Sequence, residues 1–219
     1  MASQGKWAGG LRRVEPGSDQ DAKILKQMHL QLLSWGPISK LGGLLLERFI
    51  YSRLVRDGLI KAAIYEVNGK PAGFVAFTTR SLMFHRDIIR RHWPTFTYLI
   101  FLSFVRNPLV FPRLAKAFRL MRSRRSEKCL FEDPLGEILA IGVLPEFGST
   151  PFIRESGLRV SYELFDHVVA YLKSQKISKM RLVVDDFNRP ALLFYHGLGG
   201  RFEPYFRAGD AMVQIWFDL

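Results

Sequence analysis

The chain of 219 residues has one cysteine, Cys129. That excludes an intrachain disulfide and a cysteine-rich zinc site, and it fits a reducing compartment. Acid is scarce as well, with 20 Asp and Glu against 32 Lys and Arg, giving a net charge of +12. Such an imbalance implies an anionic partner: nucleic acid, an acidic membrane or a polyphosphate cofactor. Long apolar runs are missing too. The longest, around Phe96–Val105, falls short of the about 20 residues that a membrane-spanning helix takes. Residues 1–10 have no apolar core behind Lys6, so no secretory signal is expected. With 48% apolar residues, the expectation is one folded domain, 1–219, in the cytoplasm or peripherally on a membrane.

The charge is not spread evenly. Between Ser81 and Leu130 stand eleven basic residues, Arg86, Arg90, Arg91, Arg113 and Arg119 among them, against Asp87 and Glu127 alone. The same region carries Trp93, Phe96, Tyr98, Phe101 and Phe104. Leu109–Met121 reads as a helix with Leu114, Ala117, Phe118 and Met121 on one side and Arg113, Lys116 and Arg119 on the other. Two readings follow for 81–134: an insertion packed on the core, or a basic, aromatic surface lying on an anionic membrane. Nucleic acid is the third use of such charge, but no zinc-finger, basic-zipper or RNA-recognition signature accompanies it.

Glu137–Gln175 carries the chemistry. Ile138–Leu144 is a short apolar run closed by Pro145, the pattern of a buried strand. Val160, Leu164, Val168, Val169 and Leu172 recur at helical steps. Between them a polar loop is expected over Glu146–Ile153, followed by Arg154-Glu155-Ser156-Gly157-Leu158-Arg159. Free amides at a helix start attract anions, and Arg154 and Arg159 add charge beside Gly157. The same residues also suit an ordinary solvated helix cap.

The rest of the chain supplies a strand at Trp7–Val14, a helix after Ser18 or Asp19, and a second helix over Ile38–Arg56. Leu59–Val67 and Pro71–Thr78 form a hairpin about Asn68-Gly69. A strand at Met180–Val184, a helix from Pro190 and a closing pair, Arg201–Phe206 with Ala211–Phe217, complete a mixed α/β order.

Two patterns in this order resemble the GNAT superfamily of acetyl-CoA-dependent N-acetyltransferases. One is Val143-x-Pro145 followed by Arg154-x-x-Gly157 at a helix start; the other is Asn188, Ala191 and Phe194-Tyr195. Arg159 stands where that family favours a small residue, and Glu146–Ile153 lengthens the link. The resemblance implies a GNAT-like fold with a helical insertion between the third and fourth strands. It also implies acetyl-CoA as co-substrate, without a metal. Ile141, Gly142 and Val143 would then offer backbone groups to the pantetheine and thioester, and Arg154–Arg159 would hold the pyrophosphate. Asn188 would steady the pantetheine arm, and Tyr195 would be the general acid. Glu137 is a candidate base, with Glu66, Asp185 or a water as alternatives. His29, His167 and His196 read as structural.

The acceptor implied is a primary amine of a small molecule or glycan. Positive charge favours an acidic or lipid-linked amino sugar over a polycation. A GNAT-like module that binds acyl-CoA or a membrane surface without turnover is the alternative, and a nucleic-acid binder the next. Oligomeric state is not written in the sequence.

Overall fold

A computed structural model describes residues 7–36, 38–39, 42–106, 134–207 and 210–219. The strands are β1 (Gly9–Arg13), β2 (Lys61–Val67), β3 (Lys70–Thr78), β4 (Gly136–Val143), β5 (Lys179–Asp185), β6 (Arg201–Arg207) and β7 (Asp210–Asp218). They form one seven-stranded sheet in the order β1-β2-β3-β4-β5-β7-β6. The mixed α/β class expected from the sequence is therefore observed. The chain divides into two compact units, 1–77 with 140–170 and 78–139 with 171–219.

In the first unit, β1 pairs antiparallel with β2, and β2 with β3. Asn68 and Gly69, at φ 51° and 74°, make the tight turn between β2 and β3. The Asn68 side chain accepts from the Ala8 amide at 2.7 Å, which ties down the start of β1. Helix α1 (Asp19–Leu32) begins at Ser18, whose hydroxyl accepts from the Asp21 amide, and it buries Ala22, Leu25, Met28 and His29.

The second helix starts later than Ile38–Arg56 suggests. Its α-helical turn is Gly43–Leu45, and it continues as a π-helix over Leu46–Leu54; we call the two together α2. Gly42 at φ 101° cannot belong to a right-handed helix, so α2 begins only after it.

A second difference concerns Glu146–Ile153. This link is helical: α4 (Pro145–Gly148) and α5 (Thr150–Ser156) fill it. Ser149 caps α5 by accepting from the Phe152 amide, and a proline sits in the first turn of each helix, where its missing N–H costs nothing. Phe147 and Trp7 each meet Phe152 edge-on at 5.3 Å between ring centroids. This aromatic contact gives two very short helices an apolar anchor. Helix α6 (Val160–Ser174) follows, burying Val160, Leu164, Val168 and Leu172 as its periodicity predicts, while Val169 is half-buried and Phe165 is buried in addition.

In the second unit, β4 and β5 run parallel, with Gly136↔Met180, Glu137↔Arg181 and Ile138↔Leu182 in register. β5 pairs antiparallel with β7 over its whole length, and β6 closes on β7. Helix α7 (Arg189–Gly197) joins β5 to β6. Met180, Leu182, Tyr195, Ile215, Trp216 and Phe217 make the core here.

Between β3 and β4 the chain forms α3 (Ser81–Arg106), a helix of 26 residues with Pro94 inside it. Proline cannot donate to the preceding turn. Next to it, the Thr97 hydroxyl donates to the Trp93 carbonyl at 2.8 Å. The helix expected at Leu109–Met121 lies outside the described residues.

Candidate functional site

The residues expected to face acetyl-CoA fall in both units. Ile141, Gly142, Val143 and Arg154–Arg159 are in the first; Glu137, Asn188 and Tyr195 are in the second.

In the first unit, β4 runs out at Val143, and the Leu144 amide donates to the Ala72 carbonyl at 2.8 Å. Gly142 is dictated by packing. A Cβ there would lie 2.9 Å from Leu32 Cδ1 and 3.3 Å from Leu32 Cβ, so a side chain would crowd α1, with Phe74 at ordinary contact distance.

Gly157 terminates α5 in the left-handed region, at φ 72°, with its amide donating to the Ile153 carbonyl. A Cβ on it would meet nothing within 4 Å. The glycine is thus set by backbone conformation, and the space beside it is open. Ser156 keeps the turn narrow, its hydroxyl donating to the Phe152 carbonyl at 2.7 Å and accepting from the Leu158 amide at 3.1 Å. The Glu163 amide then donates to the Arg159 carbonyl at 3.0 Å. The amides of Val160, Ser161 and Tyr162 come before that first helical bond and have no carbonyl four residues back within α6. Arg154, Glu155 and Arg159 are exposed, and the Arg159 guanidinium lies 5.8 Å from the centre of the Tyr162 ring. The turn thus combines first-turn amides, two arginines and unfilled space, which fits a pyrophosphate. Glu155 is the one acid in it.

Asn188 is the N-cap of α7, and its side-chain oxygen accepts from the Ala191 amide at 3.3 Å. The spacing of Asn188 and Ala191 therefore has a local cause. Tyr195 is 4% exposed and packs against Phe194 and Phe217, with ring centroids 5.1 and 6.4 Å away. Burial raises its pKa above the ordinary phenol value, so it keeps its proton throughout the physiological range.

Glu137 and Arg181 face each other across the β4–β5 ladder and are 3% and 5% exposed. Arg181 Nη2 donates to Glu137 Oε2 at 3.3 Å and its Nε to the Ser81 hydroxyl at 3.0 Å, while Ser81 donates to the same Glu137 oxygen. A carboxylate held in this way is a fixed anion between two β-strands. The sequence reading misses Ser81 and Arg181 as its partners, although it locates both strands. Glu66, an alternative base, accepts from Arg12 Nε at 3.1 Å.

A further polar pair escapes the sequence reading. His29 Nδ1 lies 2.5 Å from the Tyr51 hydroxyl, and both side chains are buried beside Phe74. Burial pushes the His29 pKa down to about 4, so the ring is neutral at neutral pH. With the phenol as donor, the imidazole proton is assigned to Nε2. His167 meets Phe77 edge-on, and burial, then Arg13, lowers its pKa. His196 lies against Phe202. No group of three His, Cys, Asp or Glu among the described residues is arranged to hold a metal ion.

Solved structures with the same arrangement decide the fold. A protein from Desulfovibrio desulfuricans assigned to the GNAT acetyltransferases superposes with a TM-score of 0.56 at 12% identity, covering 96% of this chain and 99% of that one. The chain has the GNAT fold. The PaiA N-acetyltransferase of Thermoplasma acidophilum, solved with coenzyme A, shares this GNAT fold at a TM-score of 0.52 and 13% identity, over 94% and 98% of the two chains. An acetyltransferase from Thermus thermophilus gives 0.53 at 12%, over 95% and 97%. No protein-family model and no curated protein matches the sequence.

Proposed function

We propose that this GNAT-fold chain transfers an acetyl group from acetyl-CoA to a primary amine, with an acidic or lipid-linked amino sugar as the acceptor class. The observation that carries the reading is the turn at Gly157. Its open space, the first-turn amides of α6 and the exposed Arg154 and Arg159 make a seat for a pyrophosphate on a GNAT scaffold. Acetyl-CoA, when bound, supplies the thioester carbonyl that an amine attacks.

The chain's own residues do the rest. Arg154 and Arg159 neutralise phosphate charge, and the backbone of Ile141, Gly142 and Val143 lines the pantetheine. Asn188 has its side-chain oxygen committed to the helix cap, so only its amide hydrogens remain for the arm. Tyr195, protonated at neutral pH, is the proton donor we assign to the departing thiolate. Glu137 is bound to Ser81 and Arg181, so we assign deprotonation of the amine to solvent water. The basic region 81–130 is the part suited to an acidic or lipid-linked acceptor.

Binding without turnover is the second reading, favoured by the burial of Tyr195. Titration with acetyl-CoA while following thermal unfolding tests both. Binding to the folded state raises stability by about 3 kcal/mol at a hundredfold excess over Kd. Arg154→Glu with Arg159→Glu should abolish the rise, whereas no rise in the wild type would remove the proposal. A rise with no thiol release across a panel of amino sugars would leave binding without turnover.

A further inference from the structure

Seven large apolar side chains stand exposed among the described residues, and three of them, Trp93, Tyr98 and Phe101, lie on α3 at 62%, 61% and 62% exposure. Arg86, Arg90, Trp93, Thr97 and Phe101 follow one another at steps of four, three, four and four residues, and all are exposed. At 100° per residue such steps trace one stripe along a helix. Tyr98 and Arg91 are exposed as well, about 100° and 120° around the helix from the middle of that stripe. The opposite side is different in kind: Phe84, His92 and Leu99 are buried there, and Asp87 is buried at the flank. The acid of this helix, Asp87, is thus turned inward and bridged to Arg80 at 3.5 Å. No ion pair is recorded for Arg86, Arg90 or Arg91 among the described residues. The exposed stripe is therefore cationic toward its start and aromatic toward its end.

We propose that this stripe is a docking surface for an anionic lipid bilayer, on which α3 lies in the plane of the headgroups. Trp and Tyr favour the headgroup level, where an apolar ring and a polar tip are both satisfied. Arg side chains are drawn to acidic lipid over a short range. No described helix is long and apolar enough to cross a membrane, so the contact is peripheral. A second copy paired in parallel would bring two sets of arginines together, and one paired antiparallel would set arginines against aromatics, so self-association is measured beside vesicle binding. A nucleic acid would use the arginines but has less use for three aromatic side chains spaced along a helix. The proposal is independent of acetyl transfer, since it rests on α3 alone.

Flotation of the full chain with vesicles tests it, using equimolar phosphatidylglycerol and phosphatidylcholine in one arm and phosphatidylcholine alone in the other. The protein should float with the first and stay down with the second. Two sets of substitutions, Trp93→Ser, Tyr98→Ser and Phe101→Ser or Arg86→Gln, Arg90→Gln and Arg91→Gln, should each weaken partitioning by about tenfold or more. All six side chains are exposed, so both variants should keep the wild-type circular dichroism and melting temperature. Quenching of tryptophan fluorescence by brominated lipid supplies a second measurement, and Trp93→Phe should remove most of it while preserving flotation. Three results overturn the proposal: no flotation with acidic vesicles, undiminished flotation of the aromatic variant, or self-association that the aromatic variant abolishes without any vesicle binding.

Discussion

Glu137 illustrates, at the scale of one residue, how contacts from distant parts of the chain bear on a position. Its place at the start of a strand before a Val-x-Pro signature suggests a base, but Arg181 directly across the ladder and Ser81 from α3 hold it. Removing one partner of a buried ion pair strands the other charge, at a cost of about 3–5 kcal/mol. Arg181→Met should therefore lower the urea midpoint sharply. Glu137→Leu combined with Arg181→Met should recover much of the loss, since two apolar residues need no charge partner. If the double variant is no better than the single, the pair is not the source. His29 gives a second residue-scale prediction. Its folded pKa of about 4 lies below the unfolded value near 6.5, so the unfolded chain binds the proton first as pH falls. The stability conferred by the neutral ring is complete above pH 6.5 and is lost progressively down to pH 4, by about 3 kcal/mol at most. Urea midpoints measured across that window for wild type and His29→Gln should diverge in slope; parallel curves would remove His29 from the account.

At the scale of elements, strands and most helices are legible in the sequence because their signals are local. The Asn68-Gly69 turn and the Ser18 cap each act over a few residues, and β2, β3 and α1 appear where those signals place them. The π-helical course of α2 is not legible, since apolar spacing at three and four residues does not distinguish it from an α-helix. Glu146–Ile153 reads as a loop for another reason: α4 and α5 are too short to show periodicity, and only Ser149 with Pro151 signals a helix start. The Asn188 cap yields a direct prediction for α7. Asn188→Ala removes the acceptor for the Ala191 amide and should cost about 1 kcal/mol, with Asn188→Asp restoring most of it. Thermal melts of the two variants measure the cap. If Asn188→Asp recovers stability but acetyl-CoA affinity stays low, the side-chain amide hydrogens have a separate role in binding.

For the whole molecule, charge is the property that sequence and structure share most directly. The excess of +12 marks an anionic partner without naming it. Arg154 and Arg159 at the Gly157 turn and Arg86, Arg90 and Arg91 on α3 put five positive charges on two candidate surfaces. The candidate site is only half legible in the sequence. Gly157 and its arginines follow from local pattern, but the surroundings of Tyr195 and Glu137 depend on strands brought together from distant parts of the chain. Global charge and local contacts can be separated by salt. The screening length contracts from about 30 Å at 0.01 M to about 8 Å at 0.15 M, which suppresses steering by remote charge but spares close pairs. Coenzyme A should therefore associate several-fold more slowly at the higher ionic strength, with its dissociation rate little changed. With the proposed seat, Arg154→Glu should show the reverse emphasis, a faster dissociation that persists at either salt concentration, because losing a phosphate contact acts after encounter. Stopped-flow association and dissociation rates distinguish the two effects. An association rate indifferent to salt would mean that the excess charge does not guide coenzyme A to the proposed seat, and would leave the arginines of α3 to a separate surface.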